Sequence, residues 1–134
     1  MKASGSGVAV GHEGWLYWVG RAGEVEAFYG DTATSRRILR RWTRLIGHRA
    51  RRLDALGIRH VHTVVPDKLA IYPDLLGRPF PGLDDPPGVR LARSVAADSG
   101  APMANLQTPL VAARDGEPVY LRTDTHWTYR GYLI

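Results

Sequence analysis

The feature that most limits how this chain folds is a helical pattern that gives way at once to a strand pattern. Ile38, Trp42, Leu45, Ile46, Leu53 and Leu56 recur at helical spacing, with Thr34 or Ser35 as a cap and Gly57 as a stop, which predicts a helix to about Leu56. Ile58 to Val65, closed by Pro66, is β-branched and short enough for a buried strand. A helix feeding a strand implies α/β architecture. With 134 residues, 44% of them hydrophobic, the chain is one compact domain able to bury about two thirds of its unfolded surface.

The remaining segments are shorter. Gly14 to Val19 reads as an aromatic strand, Gly20 to Gly23 as a turn and Val25 to Tyr29 as a second strand, together a hairpin. Pro79 to Pro87 reads as an exposed loop, Val89 to Ala97 as a helix ended near Gly100, and Pro102 to Asn105 as a short strand. Pro109 to Ala113 suits a helical turn, and Val119 to Leu121 a strand. Thr128 is placed to cap a last helix from Tyr129 to Ile134, so the chain stops in an opening turn and reads as truncated at its C-terminus. Residues 1–10 read as a flexible leader and 11–134 as an incomplete domain. Met1 to Gly11 holds one lysine and no long apolar stretch, so neither a signal peptide nor a membrane span is expected in this chain.

The balance of 18 basic against 13 acidic residues favours acidic partners or a solvated basic face, and there is no cysteine for a disulfide or a thiolate metal site. Arg36, Arg37, Arg40, Arg41, Arg44, Arg51 and Arg52 share the polar face of the long helix. That invites a polyanion-binding module, but no nucleic-acid recognition motif accompanies the charge.

The chemistry-bearing pattern is Asp124-Thr125-His126-Trp127. In an extended segment, side chains two apart share a face, so Asp124 can accept the Nδ1 proton of His126 and leave Nε2 free as a base. A serine nucleophile needs that help from its two partners. Two other readings stay open: a structural hydrogen bond at a strand end, and a metal site completed by His60 and His62, although no spacing forces a metal. Lys68 follows a strand at the end where α/β folds bind ligands, so it is a candidate for contact with a substrate carboxylate or acyl oxygen. Trp127 is a candidate to shape the pocket or stack on a sugar. Ser99 fits a helix stop better than a nucleophile turn, Ser35 and Ser94 belong to helices, and Ser4 and Ser6 lie in the leader.

These blocks carry a resemblance. Gly11-His12-Glu13-Gly14-Trp15-Leu16-Tyr17, then Val65-Pro66-Asp67-Lys68 with Ile71-Tyr72-Pro73, then Tyr120 to Trp127 and Gly131 stand in an order that resembles the SGNH hydrolase-like domain of the alginate O-acetyltransferases of the AlgX and AlgJ type. The resemblance implies a flavodoxin-like three-layer fold with a parallel sheet core and an N-terminal hairpin. It also implies acetyl transfer to hydroxyls of an exopolysaccharide in the bacterial periplasm, with a membrane-bound O-acyltransferase as acetyl-donating partner and with no cofactor or metal. Asp124 and His126 match the family's acid and base, and its serine belongs to a later block that this chain does not reach. An esterase using the same residues with water as acceptor is the neighbouring reading.

Overall fold

The computed structural model describes residues 7–21 and 23–134. In chain order they form β1 (Val8–Val10), β2 (Leu16–Trp18), α1 (Glu24–Tyr29), α2 (Ala33–Ala55), β3 (His62–Val64), α3 (Lys68–Ile71), α4 (Pro87–Asp98), β4 (Met103–Asn105), α5 (Gln107–Ala113) and α6 (Tyr129–Tyr132). β3 and β4 pair in parallel with His62 opposite Met103, and the crossover between them contains α3 and α4. This is the α/β unit that the helix-then-strand pattern predicts. Among the described residues no helix is long and apolar enough to cross a membrane.

Four expectations are corrected. The hairpin joins β1 to β2 in antiparallel register, Val8 opposite Trp18, and the stretch Val25 to Tyr29 is helical instead. Val25, Phe28 and Tyr29 sit three and four apart, Glu24 and Glu26 favour the positive end of a helix dipole, and Gly23 enters it at φ 76°. Val8–Val10, expected within the leader, is a strand; residues 1–6 lie outside the described residues. The strand expected from Ile58 to Val65 shrinks to His62–Val64. The Ile58 amide turns back to the Leu53 carbonyl across Gly57, at φ 68°, so the first residues of that run are spent on closing α2. Finally, Val119 to Leu121 is no strand, only a single antiparallel bridge between Tyr120 and Trp127.

The cap of α2 is Thr32 rather than Thr34 or Ser35, its hydroxyl accepting from the Ser35 amide at 3.0 Å. The buried side chains divide into two clusters. One gathers Trp15, Tyr17, Tyr29, Leu69, Ile71, Leu76, Leu110, Val119 and Tyr120; the other gathers Ile46, Ala50, Leu91, Val95 and Ala101 where α2 packs on α4. Arg90 of α4 reaches across, donating to the Phe28 and Tyr29 carbonyls at 2.8 Å each and so serving the otherwise unpaired end of α1.

Candidate active site

The loop carrying Asp124 and His126 hangs from the Tyr120–Trp127 bridge. The Leu121 amide donates to the His126 carbonyl at 3.0 Å, and the Thr128 amide to the Val119 carbonyl at 3.0 Å. Residues 122–126 turn rather than extend, so the two side chains do not meet as neighbours on a strand face. They meet because Asp124 folds its carboxylate over its own loop: one oxygen accepts the His126 amide at 2.9 Å and lies 2.5 Å from His126 Nδ1. An aspartate bonding the backbone two residues on is a local turn device, and here it engages the imidazole through Nδ1. These two hydrogen bonds hold the Asp124 carboxyl below its usual range. Both groups are open to water, with the His126 side chain 78% and that of Asp124 52% exposed.

Beneath the loop lies Lys68, the first residue of α3 and only 4% exposed. Its Nζ donates to the Leu16 carbonyl at 2.8 Å and to the Arg122 carbonyl at 3.1 Å. The same Arg122 carbonyl accepts the Leu16 amide at 2.9 Å, so both its lone pairs are engaged. The ammonium also lies 5.4 Å from the ring centre of Trp15 and 5.7 Å from that of Tyr17, within cation–π range. Burial pushes its pKa down, and the charge of Asp124 opposes that shift. Lys68 thus shares the neighbourhood of Asp124, as its place in the chain suggested, but two of its donors are committed to backbone. A cavity of about 420 Å³ bordered by Lys68, Asp67, Trp18 and Thr125 opens beside it.

Trp127 is half-buried. Its ring stacks on Tyr120 with centroids 6.4 Å apart and meets Tyr132 edge-on at 6.2 Å, so packing against these two tyrosines holds it at the base of the loop. α6 approaches closely: a Cβ on Gly131 would stand 2.1 Å from the Val119 carbonyl oxygen. Gly131→Ala is therefore expected to push α6 off the base of the loop and cost about 2 kcal/mol, read as a lowered thermal midpoint; an unchanged midpoint would contradict this close approach.

A network next to Lys68, which ties the buried phenols of Tyr29 and Tyr120 to the segment Pro66-Asp67, escaped sequence reasoning. Asp67 caps α3 by accepting the Ala70 amide at 3.1 Å, and also accepts the Tyr29 hydroxyl at 2.5 Å, while Tyr120 donates to the Pro66 carbonyl. Burial pushes the Asp67 carboxyl up and all but locks the Tyr29 and Tyr120 phenols in their protonated forms. An aspartate directly after a strand and Pro66 was the signal available for the cap. His60 and His62 do share a neighbourhood, their rings 5.4 Å apart, but among the described residues no group of three or more His, Cys, Asp or Glu could hold a metal ion. Ser99 bonds the Val95 carbonyl at the end of α4, Ser35 belongs to the first turn of α2, and Ser94 lies within α4.

Comparison with known proteins gives a consistent result. The chain is 32% identical over 127 residues to a Pseudomonas aeruginosa protein named "Probable alginate O-acetylase AlgJ", covering 93% of this chain and 30% of that protein. It is 31% identical over 128 residues to the Azotobacter vinelandii protein of the same name, covering 96% and 31%. The solved O-acetyltransferase domain of Pseudomonas putida AlgJ superposes with a TM-score of 0.71 at 29% identity, covering 93% of this chain and 42% of that one. The chain thus spans under a third of the length of these two curated relatives, and the fold it shares with them is the α/β fold of the SGNH-like domain. Residues 8–132 match the family model described as "SGNH hydrolase-like domain, acetyltransferase AlgX", and the chain belongs to that family.

Proposed function

We propose that this chain supplies the acid–base half of an O-acetyltransferase acting on hydroxyls of an alginate-like exopolysaccharide, in the periplasm, with a membrane-bound O-acyltransferase as acetyl source. The observation that carries this is the 2.5 Å contact between Asp124 and His126 Nδ1, on an imidazole open to water, in a chain matched to the family from residue 8 to 132. The nucleophile is a serine from a block outside these 134 residues. Its Oγ attacks the acetyl carbonyl as His126 Nε2 takes the hydroxyl proton; the donor's leaving group departs with that proton. A sugar hydroxyl then gives its proton to Nε2 and attacks the acetyl-serine, which releases the acetylated sugar and restores the serine. Asp124 orients the imidazole and stabilises its cation at each transfer.

The test is acetyl transfer to a uronate oligosaccharide, followed as the mass gain of one acetyl group, in the encoded protein that joins these residues to its serine. His126→Ala is expected to lower turnover by at least about a thousandfold with the thermal midpoint unchanged. Turnover close to that of the parent would sink the assignment.

A further inference from the structure

The charge of this protein is not spread over it. Eight of the 23 residues of α2 are arginine and one, Asp54, is acidic, giving the helix +7 where the whole chain carries +5. Everything outside α2 therefore sums to −2, ten basic residues against twelve acidic ones. At 100° per residue, every arginine of α2 except Arg49 falls within one arc of about 160°, and the stripe from Arg36 to Arg52 is about 24 Å long. All are exposed, and among the described residues only Arg36 has an acidic partner, Asp31 at 2.8 Å.

This pattern works against the helix that bears it. Arg36 and Arg40, Arg37 and Arg41, and Arg40 and Arg44 are like charges four apart, which repel. Arg36 and Arg37 lie near the positive end of the dipole, in a helix whose first turn holds no acidic residue. A face that served only for solvation would do as well with both signs interspersed. The opposite side of α2 is already spent, with Ile46 and Ala50 buried against Leu91 and Val95, so α2 has no apolar face left to insert into a lipid surface. Its only aromatic residue, Trp42, lies outside the arginine arc and borders the cleft shared with Ile46 and Arg49, so the stripe lacks the interleaved rings on which bases stack. What remains is a track of guanidinium groups, which pair two-pronged with carboxylates, repeating about once per 5.4 Å turn.

We propose that the arginine face of α2 is a docking track for an acidic polysaccharide, held by successive sugar carboxylates while another part of the same polymer meets the Asp124–His126 loop. The proposal rests on the reading that the acceptor is an alginate-like polysaccharide, and adds where the polymer is held: on a helix built over the second core cluster, away from the loop that does the chemistry.

The experiment titrates a fluorescent polyuronate oligosaccharide into the full chain and reads anisotropy across a salt series. The parent binds with an affinity that falls steeply with salt, and a neutral glucan of equal length does not bind. Arg37→Gln, Arg41→Gln and Arg44→Gln together weaken binding by about tenfold or more at low salt and flatten the salt dependence. All three residues are exposed, and glutamine is close to arginine in helix propensity. If that variant melts early, Arg51→Gln with Arg52→Gln tests the other end of the track. The titration reads binding and the transfer assay reads chemistry, so a failed acetyl-transfer assay leaves this result standing, while a parent that does not bind the polyuronate overturns the docking track and leaves the acid–base assignment standing. Parental affinity in the folded triple variant, or in the double variant where the triple melts early, overturns the proposal. So does equal binding of the neutral glucan, or tighter binding of anionic phospholipid vesicles or single-stranded DNA than of the polyuronate.

Discussion

Asp124→Asn is expected to lower acetyl transfer by roughly three to four orders of magnitude while the loop keeps its shape. The asparagine side-chain oxygen can still accept the His126 amide, the bond that makes the turn, now 2.9 Å long. What disappears is the negative charge 2.5 Å from Nδ1, which stabilises the imidazolium formed whenever Nε2 takes a proton. The variant therefore separates geometry from electrostatics within one side chain. The fall should appear in kcat, with KM little changed, since the charge matters most once the imidazole is protonated. A tenfold effect or less would mean that Asp124 serves mainly to fold its own turn.

Lys68→Met is the second large effect. Methionine fills much the same volume, but the Leu16 carbonyl loses this donor and the Arg122 carbonyl keeps only the Leu16 amide. An unmet buried carbonyl costs about 1–3 kcal/mol, and relief from holding a charge between Trp15 and Tyr17 offsets part of that. A net loss of about 2 kcal/mol, or roughly 8 °C in thermal midpoint, is expected for a domain of this size. The larger consequence is positional. With the loop released from α3, a displacement of about 1 Å at the imidazole is enough to cost on the order of a hundredfold in kcat. A lowered midpoint with unchanged kcat would make Lys68 a purely structural residue.

How well each element could be read depends on the range of the forces that set it. α2 and α4 are legible because their apolar residues repeat through 23 and 12 residues, long enough for the period to declare itself. α1 is not, because six residues containing Val25, Phe28 and Tyr29 satisfy both a short strand and a helix, and only packing against the first core cluster decides. β2 shows its aromatic character in sequence, yet its partner lies upstream at Val8–Val10 rather than downstream. The candidate site divides in the same way. Asp124 and His126 are two residues apart, so their contact is local and survives a wrong guess about the backbone between them. The task of Lys68 is set by carbonyls 52 and 54 residues away, and nothing near it in the chain announces them. The Tyr29–Asp67 bond spans 38 residues and was hidden for that reason.

The division of the interior into two packing clusters bears on how such a protein can change over time. The imidazole loop stands on the cluster of Trp15, Tyr17 and Tyr120, and the arginine helix is seated on that of Ile46, Leu91 and Val95. Substitutions on the surface of the arginine helix draw on one stability reserve, and those around the imidazole loop draw on the other. A lineage could therefore alter the charge of that helix, residue by residue, while inheriting the Asp124–His126 loop intact.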